Sequence, residues 1–376
     1  MRFIQRKFVN SKKARTVEDI SKVFAKLVLQ GKLSAAIKLL ENESSSGLLD
    51  LSPEVLEGLK DKHPEAADIT FESLLHGPIE YIPPSVFDMI NEEIIYNATT
   101  TTKGSAGPSG MNSELYRRIL CSKNFKLKTE GKILREEFAV LTRNLLKTSY
   151  HPSLLEAFTS CRLLKLNKNP GIRPIGVGEV LRRIVGKTIA GFLKEEIKEA
   201  AGPLQVCAGH SAGAEAAIHA MRQVFAEERT DRILLIDAIN AFNTMNRSVA
   251  VHNIQLTCKK IALYIINTYR SPSRLFICGG GEILSQEAMP WYSVNTALII
   301  QSLRKHMPSF KLVRLADDSA GGGRIEPLFD WYKNLCREGK KFGYLVNGSK
   351  SWLIVKTETI ANEAKRVFGD EVNITT

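Results

Sequence analysis

Residues 232–238 read RILLIDA: four apolar residues, Ile233, Leu234, Leu235 and Ile236, run straight into Asp237, and polar residues of helical pattern follow. An apolar run of that length predicts a buried β-strand, here one that delivers a carboxylate at its C-terminal end. Further along, residues 311–318 read KLVRLADD, a second short strand ending in Asp317-Asp318, a tight turn and the three glycines 321–323. Between and beyond these two stretches lie helical patterns around 247–253 and 259–269, a strand at 274–278, helices at 292–306 and 326–337, and a last strand at 352–356. The order β-α-α-β-α-β-α-β predicts an α+β layer, with helices packed on one face of an antiparallel sheet.

Upstream, residues 162–166 and 173–175 flank Asn169-Pro170-Gly171 and predict a β-hairpin. Residues 180–200 form an amphipathic helix, with Leu181, Ile184, Val185 and Ile189 on one side and Arg182, Arg183 and Lys187 among the polar positions. Helices are also expected at 115–120 and 133–146. The tract TTTTKGSAGPSG at 99–110 predicts a loop, either a domain linker or a mobile element over a site. Before it, helical spacing covers 17–27 and recurs through Ala35, Ile37, Leu39 and Leu40. A polar loop occupies 41–47, Ser52-Pro53-Glu54 starts a helix, and Pro83-Pro84 introduces another at 85–96. Residues 1–98 hold no catalytic constellation and read as a helical accessory region.

The chain has 376 residues with 44% hydrophobic and 24% charged, a composition that argues against wholesale disorder. Its net charge of +12 is unevenly placed. Residues 1–100 hold 12 basic and 15 acidic side chains, whereas residues 101–200 hold 19 and 9. Such a local excess points to an anionic partner, nucleic acid first, or to a solvated basic face. The 6 cysteines are scattered, without C-x-x-C, which argues against a disulfide scaffold or zinc module and for a reducing, intracellular location, nucleus or cytoplasm. No apolar run of about 18 residues occurs and MRFIQRKF has no apolar h-region, so neither a membrane span nor a secretory signal is expected.

Asp237 with Asp317 and Asp318 forms a candidate three-carboxylate site. Mg²⁺ favours oxygen donors and usually binds one or two carboxylates plus substrate phosphates. Two such ions about 4 Å apart can activate an attacking hydroxyl and stabilise a leaving oxygen in phosphoryl transfer. Against this stand plainer roles: a solvated Asp-Asp turn, and Asp237 as a helix N-cap.

Five segments in order over about 100–356 resemble a reverse transcriptase of the LTR-lacking retrotransposon type. They are GSAGPSGMNSELYRRIL (104–120), RLLKLNKNPGIRPIGVGEVLRRIVGKTI (162–189), LLIDAINAFNTMNR (234–247), LADD (315–318) and GYLVNGSKSWLIV (343–355). The resemblance implies a polymerase palm, a ferredoxin-like antiparallel sheet with helices, over 231–356. It implies fingers over 99–230 and a remnant or thumb start over 357–376. It makes Asp237, Asp317 and Asp318 the catalytic ligands of Mg²⁺ (or Mn²⁺). Lys168 and Arg173 would clamp the triphosphate, Phe242 would crowd the sugar 2′ position, and Lys350 would neutralise the leaving pyrophosphate. Arg182, Arg183 and Lys187 would contact template phosphates. The implied partners are an RNA template, a DNA primer and a dNTP.

The chain departs from the family where a Gln-Gly-Asp-Pro-Leu segment is expected. Gln286 is followed by Glu287-Ala288-Met289, Pro290 remains, and Trp291 replaces the leucine. Leu315 stands where the family has an aromatic residue, and 376 residues leave little room for a full thumb. The family's glycine lets backbone approach template and incoming base, so its loss bears directly on turnover. The expectation is therefore a reverse-transcriptase-like chain with a degraded palm segment, or a polymerase-derived nucleic-acid-binding protein without turnover. An RNA-templated RNA polymerase is disfavoured by Phe242, and a Mg²⁺ phosphohydrolase would leave the fingers segments unexplained.

Overall fold

The structure, a computed structural model, describes residues 17–31, 47–122, 129–168, 171–210, 212–287, 291–306 and 311–376. The helix expected through Ala35–Leu40, the polar loop at 41–46, the Asn169-Pro170 turn and the Ala288-Met289-Pro290 departure lie outside these residues. In chain order the described strands are β1 (Cys161–Asn167), β2 (Ile172–Gly178), β3 (Arg232–Ile236), β4 (Ser273–Ile277), β5 (Glu282–Ser285), β6 (Lys311–Leu315), β7 (Asp318–Gly323), β8 (Trp352–Val355) and β9 (Asn373–Thr375). They form two mixed sheets, β2-β1-β4-β5 and β6-β7-β3-β8-β9, among helices, an α+β arrangement.

β3 takes the middle of the larger sheet because it is apolar on both faces. Leu234 and Ile236 are buried in the main core, while Ile233 packs on the other side with Met221 and Val313. It pairs antiparallel with β7 and with β8, and β7 pairs antiparallel with β6. With helices in the β3–β6 and β7–β8 connections, these four strands have split β-α-β-β-α-β connectivity.

The single antiparallel sheet expected from the element order is corrected in two respects. The strand at 273–277 leaves the large sheet and pairs in parallel with β1 of the hairpin. β5 and β9 are only four and three residues long, and β9 adds a parallel edge to β8. The glycines 321–323, given no strand in the sequence reading, belong to β7. Helix Gly213–Ala226 crosses that strand so closely that a Cβ on Gly322 would lie 2.5 Å from Val224 Cγ1. Only glycine permits the approach.

The 180–200 helix breaks at Leu193 into Val180–Phe192 and Lys194–Ala201. The helix expected at 85–96 begins later, as Glu92–Thr101, because Asn91 caps it by accepting from the Glu93 and Ile94 N–H groups. A division at 98/99 therefore falls inside a helix. Helix Pro53–Asp61 forms as expected, with Ser52 accepting from Val55 N–H.

Residues 47–98 are part of the fold. Leu59 is buried with Leu163, Leu275 and Ile283 of the smaller sheet, and Phe87, Ile90 and Ile95 belong to the main core. At the other end, helix Glu358–Phe368 buries Ala361, Ala364 and Phe368 and leads into β9, so 357–376 completes the larger sheet.

The tract at 99–110 is pinned along helix Val180–Phe192. The Glu179 carboxylate accepts from Ser109 N–H and its hydroxyl, both at 2.7 Å. Arg183 donates to the carbonyls of Lys103 (2.7 Å) and Ser105, and Lys187 donates to that of Thr101 (2.6 Å).

Gly322→Ala should push helix Gly213–Ala226 off β7 and cost about 1–3 kcal/mol, as overpacking does. A lower urea midpoint with an unchanged m-value would register it.

Candidate functional site

Asp237 stands one residue beyond β3 and is fixed from both sides of its own backbone. Its N–H donates to Ser351 Oγ at 3.2 Å, and its carbonyl accepts from Asn347 N–H at 2.9 Å. The carboxylate itself accepts from Asn347 Nδ2 at 2.9 Å. The segment leading into β8 thus aims the first acid.

The second and third acids sit at the β6–β7 hairpin, where Leu315 faces Asp318 across a two-residue turn, Ala316-Asp317. Ala316 has φ of 56°, a left-handed conformation that costs a residue with a Cβ roughly 1–2 kcal/mol. Gln205, fully buried, offsets the strain by gripping both polar groups of Ala316. Its Oε1 accepts from Ala316 N–H at 2.9 Å, and its Nε2 donates to the Ala316 carbonyl at 3.1 Å. Tyr344 Oη donates to the Asp317 carbonyl at 2.9 Å.

Asp237 and Asp318 line one open cleft of about 790 Å³, together with Lys350 and an apolar wall that includes Leu235, Leu315 and Trp352. Burial raises the Asp318 carboxyl above its ordinary value, and the charges of Asp317 and Asp237 push it the same way, with Arg314 opposing. The charges of Asp317 and Asp237 thus reach Asp318. Arg314 is buried, and its guanidinium lies 4.6 Å from the centre of the Tyr344 ring.

Among the described residues, no three His, Cys, Asp or Glu side chains converge closely enough to hold a metal ion on their own. A hard dication asks for less than that. One or two carboxylates plus phosphate oxygens and water satisfy Mg²⁺, and the same donors suit Mn²⁺. Two acids on one cleft wall, mutually repelling, fit that requirement.

Lys168 closes the β1–β2 hairpin, its N–H donating to the Gly171 carbonyl at 3.0 Å. The charge of Lys350 holds the Lys168 ammonium below its usual range, with burial, Arg173 and Lys62 adding to it. Phe242, on the short helix Ala241–Thr244, is 45% exposed, so it is no core residue; its ring centre lies 4.8 Å from that of Tyr292.

None of Arg182, Arg183 and Lys187 lines the cleft that holds Asp237 and Asp318. Arg182 packs 4.7 Å from the Tyr269 ring and donates to the Thr159 carbonyl at 2.9 Å. Arg183 and Lys187 are committed to the carbonyls of the 99–110 tract.

Glu287, next to Gln286, is 4% exposed and accepts from Ala67 N–H at 2.8 Å and from Arg247 N–H at 2.5 Å. Gln286 accepts from Ala66 N–H at 3.3 Å. Gln205 and Glu287 have no signal in local pattern, because their partners lie far away in the chain. Asn347 lies within a segment that the resemblance covers, yet nothing in that segment signals its bond to Asp237. No protein-family model matches the chain, and no curated protein matches it either.

Gln205→Ala should strand the Ala316 N–H and carbonyl and lower stability by about 1–3 kcal/mol in a denaturant titration. Asp318 gives a pH signature. A carboxyl raised in the folded state destabilises it as pH climbs above the ordinary value of 3.8. Asp318→Asn should accordingly melt above wild type at pH 7, and the difference should vanish as pH falls below that value.

Proposed function

We propose that the chain is a reverse-transcriptase-like protein, an RNA-directed DNA polymerase of the retrotransposon kind acting on an RNA template, a DNA primer and dNTPs. The observation that carries this is the placing of Asp237 and the Asp317-Asp318 turn on adjacent antiparallel strands of a ferredoxin-like sheet, with Asp237 and Asp318 on one cleft wall. In this assignment the larger sheet is the palm and the β1–β2 hairpin belongs to the fingers. Asp237, Asp317 and Asp318 would hold Mg²⁺ (or Mn²⁺), which supplies polarisation of the primer 3′-hydroxyl and charge neutralisation on the phosphates. The 3′-oxygen bonds to the α-phosphorus of the dNTP as the bond to pyrophosphate breaks. Asn347 and Ser351 orient the first acid, and Gln205 and Tyr344 hold the turn that carries the other two. Lys168, Arg173 and Lys350 offer charge-assisted hydrogen bonds to the triphosphate. Phe242, exposed on the short helix that follows Asp237, would press on a ribose 2′-hydroxyl.

A second assignment, nucleic-acid binding without turnover, is favoured by Glu287. Where the family leaves room for backbone to approach the incoming base, this chain buries a carboxylate in a structural network. No helix among the described residues is long and apolar enough to cross a membrane.

Primer extension on an RNA template with Mg²⁺ or Mn²⁺ separates the two. Polymerisation predicts dNTP incorporation that falls by at least about 10²-fold in Asp317→Ala, and Phe242→Val should admit rNTPs. Salt-sensitive binding of the primer–template with no incorporation would mark the second assignment.

A further inference from the structure

Helix Gly213–Ala226 covers only part of the acid-bearing face of the larger sheet. It lies over β6, β7 and β3, where Met221 packs with Ile233 and Val313. The face of β8 is left open, and there Trp352 is 45% exposed. β8 is an interior strand, paired with β3 on one side and β9 on the other, so this indole stands within the sheet face rather than at its edge. Trp331, by contrast, is buried in the main core.

Register puts Trp352 on the face of the acids. Leu235 lies opposite Ala320 in β7 and opposite Trp352 in β8. Residues two apart on a strand share a face; Asp237 follows Leu235 by two and Asp318 precedes Ala320 by two. A rise of about 3.4 Å per residue and about 4.8 Å between strands set the Trp352 and Asp237 backbones about 8 Å apart. Ser351, next to Trp352, accepts from the Asp237 N–H at 3.2 Å.

Trp352, Leu235 and Ile218 belong to the wall of the cleft that holds Asp237 and Asp318, and Lys350 and Arg222 line it too. Among the described residues, neither cation forms an ion pair. Lys350 already serves the triphosphate in the polymerase assignment, whereas Arg222 has no part in it. A flat indole in an apolar wall with cations in the lining has the composition of a groove for single-stranded nucleic acid, bases on the ring and phosphates on the cations. A peptide or acyl chain would use the wall and leave Arg222 without a partner. A duplex has its base faces already stacked on each other and would leave the indole uncovered.

We propose that an unpaired base near the 3′ end of a single DNA strand stacks on Trp352, with Arg222 on the strand's phosphates. The inference deepens the polymerase assignment and rests on it for the strand being DNA.

Fluorescence anisotropy of a labelled oligodeoxythymidylate of about 10 nucleotides, a length within single-strand site sizes, tests it on the full chain. Trp352→Leu should weaken binding about tenfold, the scale of one stacked base. Trp352→Phe should stay within about threefold of wild type, because a benzyl ring also offers a π-face. Arg222→Gln should reduce the slope of log affinity against log salt by about 0.7, one phosphate contact on a single strand. An abasic residue stepped through the last nucleotides should cost wild type about tenfold at one position and cost Trp352→Leu nothing more there, a coupling that a purely structural indole would not give. A blunt duplex should bind wild type and Trp352→Leu equally. Tyr81→Leu, which removes an exposed aromatic outside the cleft, should bind the oligonucleotide as wild type does. Urea midpoints serve to confirm that each variant is folded. The proposal is overturned if wild type fails to bind the oligonucleotide, if Trp352→Leu binds it as wild type does, or if the duplex shows the same loss. Failure of primer extension alongside Trp352-dependent binding would overturn the polymerase assignment and leave the stacking site standing. Asp317-dependent extension with Trp352-independent binding would do the reverse.

Discussion

Carboxylates on neighbouring strands repel each other, and what holds them together here is backbone register. β3 and β7 pair from Arg232 opposite Gly323 to Ile236 opposite Ser319. With that pairing, Asp237 and Asp318 both point into the cleft. A slip of one residue would turn one of them into the core. The register is secured where slipping would cost most: Leu234 and Ile236 are committed to the main core, and the close crossing of helix Gly213–Ala226 fixes where Gly322 must sit. Gln205 and Asn347 then adjust local geometry that the ladder has already placed.

The parts of this arrangement that are dense in local signal are legible in the sequence. RILLIDA and KLVRLADD concentrate apolar residues and end in acids, so those residues alone mark both strands and all three carboxylates. The hairpin is legible for the same reason, its two arms being close in sequence. The partition into two sheets is not, since it depends on β1 meeting β4 across a long stretch of chain, and no periodicity encodes such a partner. Glycines 321–323 mislead because a run of glycine looks like a turn unless the helix that crosses it is known. Charge is the least informative signal: a count cannot distinguish an arginine awaiting a phosphate from Arg183, whose partners are the carbonyls of Lys103 and Ser105.

The uneven charge has a partly internal explanation. Acidic residues of the first hundred meet basic ones downstream in Arg135–Glu92 at 2.6 Å, with the arginine buried, and in Lys147–Asp88 and Lys259–Glu80. The exposed pairs contribute little to stability. They do show that the negative first region and the positive second one are faces of a single packed unit.

Glu287 carries the same theme into folding. One buried carboxylate receives hydrogen bonds from residue 67 and residue 247 at once, so neither segment can loosen without leaving the other's anion desolvated and half-paired. Segments joined in that way melt as one cooperative unit. A shortened chain that keeps only the stretch resembling reverse transcriptases would lose a wall of its smaller core together with one partner of that carboxylate. It would behave as a sticky, partly opened globule, so the folding unit of this molecule includes helix Pro53–Asp61 and the segment that follows it.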